Sequence, residues 1–489
     1  MNARLMKETR GLLPMLAGTL PLIVVPQLIW PPSGFGYFAL GVACVVMAGS
    51  SFGTEFQHRT LALLLSQPIS RSVLWRDKMI VLGAGMATSL AVLLGCLALS
   101  RPVMDGSNWL ALGLIPLCAF CGAPFWTLSL RHGIGGMVAA AGAPCGILAV
   151  YALVTEQLGG EQPAALVTGV VCVLLIYCPL VYWLGYAKFK RLEVVDAPSR
   201  ELGLPAGLEA FFVRPLTRVS ARFRGPFATL LKKEFRLQQV SFLLAGLFVL
   251  IAAAGFCLIK GHSEVASGIV GGDFFLYVLI LPLIAGAVSA AEERGWGMAE
   301  WHLTLPPSAL KQWSAKMLAT VSTSLVLGLL LPTALLVAGQ WLLGQLCPRS
   351  SLPPLSLVLS WVLTQLLVTS VSVYAASFAR NTFQAILAAF MVLMAGVGTV
   401  WLAATGAHVV GLAPLRWVGH PYVIASLVLP LLPAALLLML CMIHWFAWSN
   451  FRRCGPSVPR LAGQLAVILV SGWLFAWIFF SALFILNGS

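Results

Sequence analysis

The sequence predicts an all-α integral membrane protein built of two six-helix transmembrane repeats and an extra C-terminal transmembrane helix. Three observations carry this. Of 489 residues, 60% are hydrophobic and only 9% are charged, against roughly 25% charged in soluble domains. Apolar stretches of the roughly 20 residues that a bilayer core demands recur along the whole chain. A polar segment set between two of those stretches returns, position for position, in the second half.

Thirteen spans are expected, near residues 12–31, 35–53, 79–100, 108–130, 134–155, 164–186, 241–259, 273–291, 317–343, 355–378, 382–404, 421–446 and 464–486. The start, Met1–Arg10, is a basic lead-in, and the apolar run after it fits a first span; no small-residue site for signal cleavage stands out. Between the second and third spans lies Ser51–Lys78, SFGTEFQHRTLALLLSQPISRSVLWRDK. Leu61, Leu64 and Leu65 share one helical face there. Pro68 ends that short helix, and Ser70 is placed to cap the next, in which Arg71, Arg76 and Lys78 lead into the third span. Arg131 occupies the tight turn before the fifth span. Within that span Gly142 and Gly146 have the spacing of a close helix contact, and ordinary packing is expected there rather than a hinge at Pro144. Cys118 and Cys121 form a CxxC inside an apolar helix with no His or second pair nearby in the sequence, which points to packing rather than metal or redox work.

After the sixth span, the polar segment Ala187–Val240 carries Pro198, Pro205, Pro215 and Pro226 and is expected to be a linker with brief surface helices. The pattern then repeats. Leu231–Arg236 resembles Leu5–Arg10, Arg380 takes the turn position of Arg131, and His444–Arg453 resembles Tyr182–Arg191. Ser289–Lys316 aligns without gaps on the first polar segment, placing Glu293 on Glu55, Pro306 on Pro68, Ser308 on Ser70, Trp313 on Trp75 and Lys316 on Lys78, with Leu310 on the following helix. The expected units are a first repeat over 1–191, a linker over 192–230, a second repeat over 231–453 and a C-terminal helix within 454–489.

The net charge of +14 could suggest nucleic acid, but its placement argues otherwise. With the N-terminus in the cytoplasm, only Arg101, Lys260, Arg349 and Arg416 of the 30 Lys and Arg fall outside, as the positive-inside rule requires. The basic excess thus reports orientation and contact with anionic headgroups, and membrane lipids rather than nucleic acid are the expected partners. Short outer loops exclude a large external domain.

A short amphipathic element joined to membrane helices suits a mechanical handle, and equally a helix lying passively on the lipid surface. Its duplication at matched positions favours the handle. The segment Glu55, Arg59-Thr60-Leu61, Leu64-Leu65, Pro68-Ile69-Ser70-Arg71 and Lys78 resembles the signature of ABC type-2 transporter permeases, and Lys7-Glu8 with Arg10, echoed by Lys233-Glu234 with Arg236, is similar to that family's N-terminal helix. The resemblance implies the membrane subunit of an exporter in the bacterial cytoplasmic (inner) membrane. Its loops 54–78 and 292–316 would dock separate cytoplasmic ATPase subunits, two per chain. The docking residues so implied are Glu55, Thr60, Leu61, Leu64, Leu65, Pro68, Ser70, Arg71 and Lys78, with Glu293, Pro306, Ser308 and Lys316 in the second copy. Arg59 stands where the family carries glycine, and the second copy has Met298 for Thr60 and Ala309 for Arg71.

No Gly-x-x-x-x-Gly-Lys-Ser/Thr loop occurs in the sequence, so ATP and Mg belong to the partner, and the chain itself is expected to have no cofactor, metal or catalytic residue. Three other classes compete. An ion-coupled transporter needs ionisable residues deep in the membrane, whereas the acids here cluster at span borders: Glu55, Asp77, Glu292, Glu293 and Glu300 inside, Asp105, Glu156, Glu161 and Glu264 outside, with Asp273 at the start of the eighth span closest to an exception. A membrane enzyme would need a zinc or nucleophile motif, and His132, His302, His420 and His444 stand isolated near span ends. A non-transporting anchor driven by an ATPase is the third. Nothing in the residues chooses the substrate.

Overall fold

The computed structural model describes residues 3–29, 35–57, 60–157 except 101–105, 163–192, 225–259, 264–298 except 296, 307–343, 355–409, 421–453 and 455–487. Among these the protein is all α-helical. The helices are α1 (Ala3–Ile29), α2 (Phe35–Gln57), α3 (Leu61–Leu65), α4 (Arg71–Ser100), α5 (Gly106–Leu130), α6 (Gly133–Gln157) and α7 (Pro163–Arg191). They continue as α8 (Pro226–Leu237), α9 (Gln239–Ile259), α10 (Glu264–Gly295), α11 (Ala309–Leu325), α12 (Leu331–Leu343), α13 (Leu355–Ala376), α14 (Thr382–Val409), α15 (Pro421–Arg452) and α16 (Val458–Asn487). Among the described residues eleven stretches are long and apolar enough to cross a bilayer, ten on single helices and one, Ala309–Gly339, running from α11 into α12, and α6 and α13 hold shorter apolar stretches. All thirteen expected spans therefore fall on helices, and the chain is a multi-pass membrane protein. Helix α8 starts at Pro226, inside the segment expected to be linker. Residues 193–224 lie outside the described residues.

The same packing order recurs in both halves. Helix α1 packs on α2 as α9 packs on α10, α2 on α5 as α10 on α13, α5 on α7 as α13 on α15, and α1 on α4 as α8 on α11. Across the halves α6 meets α9 while α14 meets α1, again a matched pair. Close backbone approach makes these crossings possible, as expected where lipid offers no hydrophobic drive. A Cβ on Gly142 would meet the Leu247 side chain of α9 at 1.8 Å, and a Cβ on Gly53 would meet Gly133 Cα at 2.7 Å, with Phe383 of α14 against both. Gly142 thus serves the contact that the sequence suggested, while Gly146 faces open space.

Two features break the match. Helix α16 packs on α14 and α15, and the first half has no counterpart for it. A π-helical turn, Val326–Leu330, separates α11 from α12. Pro332 lies four residues beyond Gly328, so its ring would clash with that carbonyl in an unbroken α-helix. Tyr277 donates to the Leu327 carbonyl at 2.9 Å, satisfying a backbone group within the irregular turn.

Candidate functional site

Each polar hairpin is anchored on a buried lysine. In the first, Lys78 from α4 points back at the end of α2, donating to Ser51 O at 3.2 Å, Glu55 Oε1 at 3.2 Å and Glu8 Oε2 of α1 at 2.8 Å. In the second, Lys316 donates to Ser289 O at 3.1 Å and to Glu234 of α8 at 3.0 and 3.1 Å, and it pairs with Glu293 Oε2 at 2.8 Å. The lysine, both acids and the carbonyl occupy matching positions in the two halves. A lysine this deep, 2–3% exposed in each copy, is tolerable only when acids and carbonyls replace its water. Three helices from different parts of each half therefore converge on one nitrogen.

Burial bears directly on the expected docking residues. Glu55, Lys78, Glu293, Lys316 and Leu64 are buried, so they hold the hairpin from behind instead of presenting themselves at its surface. Thr60, Leu61 and Leu65 are half-buried, while Pro68 and Ser70 are exposed and Arg71 lies between. Arg71 donates from Nη1 to the Lys190 carbonyl at the end of α7. The apolar residue that faces outward is Leu63, 68% exposed; it lies off the Leu61, Leu64 and Leu65 face, and that offset was its only signal in the sequence. Ser308 stands at the N-cap of α11 without a side-chain cap bond, its carbonyl accepting from Gln312 N. Pro306, Glu300 and His302 lie outside the described residues, as do His420, Asp105 and Glu161.

Behind each hairpin an aromatic cluster locks the same corner. Trp75 packs on Phe189 with centroids 5.5 Å apart and donates to Tyr182 Oη at 3.1 Å. Trp313 packs on Phe451 at 5.4 Å. Lys190 lies over Tyr186 as Arg452 lies over Trp448, a pairing of cation and ring that matches position for position. The resemblance of Tyr182–Arg191 to His444–Arg453 thus has a structural cause: each segment backs a hairpin.

Glu234 lies outside the spans, and burial pushes its carboxyl above the ordinary range, with Lys316 drawing it down and Glu293 adding to the rise. A cavity of about 100 Å³ reaches the first cluster, lined by Lys7, Glu8, Thr54, Glu55 and Lys78 among others. That is room for water beside the charged groups.

Two expectations about lone side chains, those for His132 and His444, are corrected. His132 is not isolated: its Nδ1 accepts from Gly135 N at 3.1 Å, which leaves Nε2–H facing Glu292 Oε1 at 3.2 Å and ties the first half to the second. His444 meets Ser370 Oγ at 3.0 Å inside the bundle. The CxxC has a neighbour that its sequence context hid, with Cys118 Sγ 3.8 Å from Cys178 Sγ, although no cluster able to hold a metal ion forms among the described residues. Asp273 lies within a spanning stretch with Oδ2 buried and unpartnered.

No protein-family model matches this chain, and neither does any curated protein or solved structure.

Proposed function

We propose that this chain is the permease subunit of an ABC-type exporter in the cytoplasmic membrane of a bacterium, with the N-terminus and both hairpins in the cytoplasm. The observation that carries the proposal is the duplicated buried lysine, which joins each hairpin to three membrane helices. A load applied to such a hairpin reaches α1, α2 and α4 together, or α8, α10 and α11 together, because separating them would strand buried charge. A passive surface helix has no need of that joint. In this proposal an ATPase subunit docks on each hairpin, and Leu63, Pro68 and Ser70 offer it the exposed surface of the first. Closure of the ATPases then moves the halves against each other along the α6–α9 and α1–α14 contacts, and the substrate passes between them.

The test is reconstitution in vesicles with the cognate ATP-binding-cassette subunit. Leu63→Asp should leave insertion and thermal unfolding unchanged while abolishing the ATPase stimulation that the wild-type permease gives. Full stimulation with this variant would remove the docking assignment. Ion coupling is the second reading, and the buried, unpartnered Asp273 Oδ2 favours it. Transport that runs on an imposed ion gradient without ATPase, and stops in Asp273→Asn, would decide for it.

A further inference from the structure

At the face that carries the hairpins, a cavity of about 470 Å³ opens between α5 and α7, lined by Phe125, Arg131, Leu184, Ala187, Lys188 and Arg191. Three of these are cations, and no acid is among the described lining residues. Lys188 is held in place, donating to Ser129 Oγ at 3.1 Å with Nζ 5.9 Å from the Phe125 ring centroid. Arg131 is the one non-glycine residue at positive φ, 50°, among those described, a conformation that asparagine or glycine adopts more readily. Three like charges gathered in a half-enclosed space repel one another, and an anion seated among them relieves that repulsion.

The remaining wall is apolar and leads away from the cations. Leu184 and Phe125 line the cavity, and the exposed Leu180 and Ile176 continue along α7 toward its middle. Residues 176, 180, 184, 187 and 191 follow one another at helical spacing on a single stripe. An inorganic anion would use only the basic end, whereas a phospholipid would use the whole length.

The matched place in the second half is built differently. Asn450 stands where Lys188 does, and it bonds to Ser377 Oγ at 3.2 Å and to Gln464 of α16 at 3.0 and 3.1 Å. The extra helix therefore engages the residue whose counterpart, Lys188, lines the cavity in the first half.

We propose that the cavity between α5 and α7 seats the phosphate of one anionic phospholipid, held by Arg131, Lys188 and Arg191, with an acyl chain along Leu184, Leu180 and Ile176. Basic pockets between membrane helices suit such headgroups.

The test is native mass spectrometry of the delipidated full chain, titrated separately with phosphatidylglycerol, phosphatidylcholine and inorganic phosphate. One phosphatidylglycerol should be retained about tenfold more strongly than phosphatidylcholine, and R131N/R191Q should abolish that preference, since each cation near the surface contributes about one step of attraction. Asparagine suits the backbone at 131, and R380N/R453Q, at the counterpart where Asn450 replaces the central lysine, should retain the preference. Equal retention of the two lipids by the wild-type protein overturns the proposal, and that comparison requires no variant. Displacement of the lipid by equimolar inorganic phosphate would make this a free-anion site, and equal losses in both variant pairs would reduce it to general surface charge. Either result overturns the proposal.

Discussion

In the first hairpin Glu55 takes its further hydrogen bond from the Thr60 hydroxyl, within the hairpin itself, whereas in the second Glu293 takes it from Lys233 on the lead-in helix α8. One backbone hydrogen bond is nevertheless the same, with Thr60 N donating to Glu55 O and Met298 N to Glu293 O, each at 3.0 Å. Gly297, at φ 69°, supplies the left-handed turn just before Met298. The second copy thus has a glycine where the first has Arg59, and no hydroxyl where the first has Thr60. One scaffold therefore serves two emphases, tying the charge cluster to the hairpin in the first half and to the lead-in helix in the second.

The harshest way to break this comparison is to remove the lysines. Lys316→Met leaves the buried Glu234 and Glu293 with only the partly exposed Lys233 as a counter-charge and should cost about 3–5 kcal/mol, read as a lowered unfolding temperature in detergent. Lys78→Met should cost less, because Glu8 is 18% exposed where Glu234 is 6% exposed; equal losses would mean that the clusters are equally dry. A smaller effect isolates the hairpin. Thr60→Val removes one hydrogen bond to a carboxylate, about 1.5–3 kcal/mol, and should raise amide exchange across 61–70 without altering the second hairpin. Lys233→Gln probes the other tie, and with that side chain 36% exposed the loss should stay near 1 kcal/mol after solvent screening. Arg71→Ala should be smallest, under about 1 kcal/mol at a half-exposed position, with faster exchange at the end of α7 as its signature.

Much of this was legible beforehand, and the reasons differ by feature. Spans are long-wavelength signals, so hydropathy placed all thirteen on helices. The hairpins were legible because their charges interrupt apolar sequence twice in register. Their internal geometry was not. Glu8 was visible as part of a basic lead-in, but its closure on Lys78 spans 70 residues, and no local periodicity records which way a lead-in helix turns its acid. Glu55 and Lys78 stand out in the sequence as charge, which suggests surface, whereas the neighbouring helices supply enough partners to bury them. His132 was read as isolated because Glu292 lies 160 residues away in the other half. Leu63 was passed over in favour of the three leucines that share a face, and those proved to be the inward ones.

In both halves the two acids precede the lysine along the chain: Glu8 and Glu55 before Lys78, Glu234 and Glu293 before Lys316. During synthesis the cation accordingly emerges last, after the segments bearing both of its counter-charges have left the ribosome. The third span of each half thus arrives with both of its counter-charges already made, on the first two spans in one half and on the lead-in helix and the second span in the other.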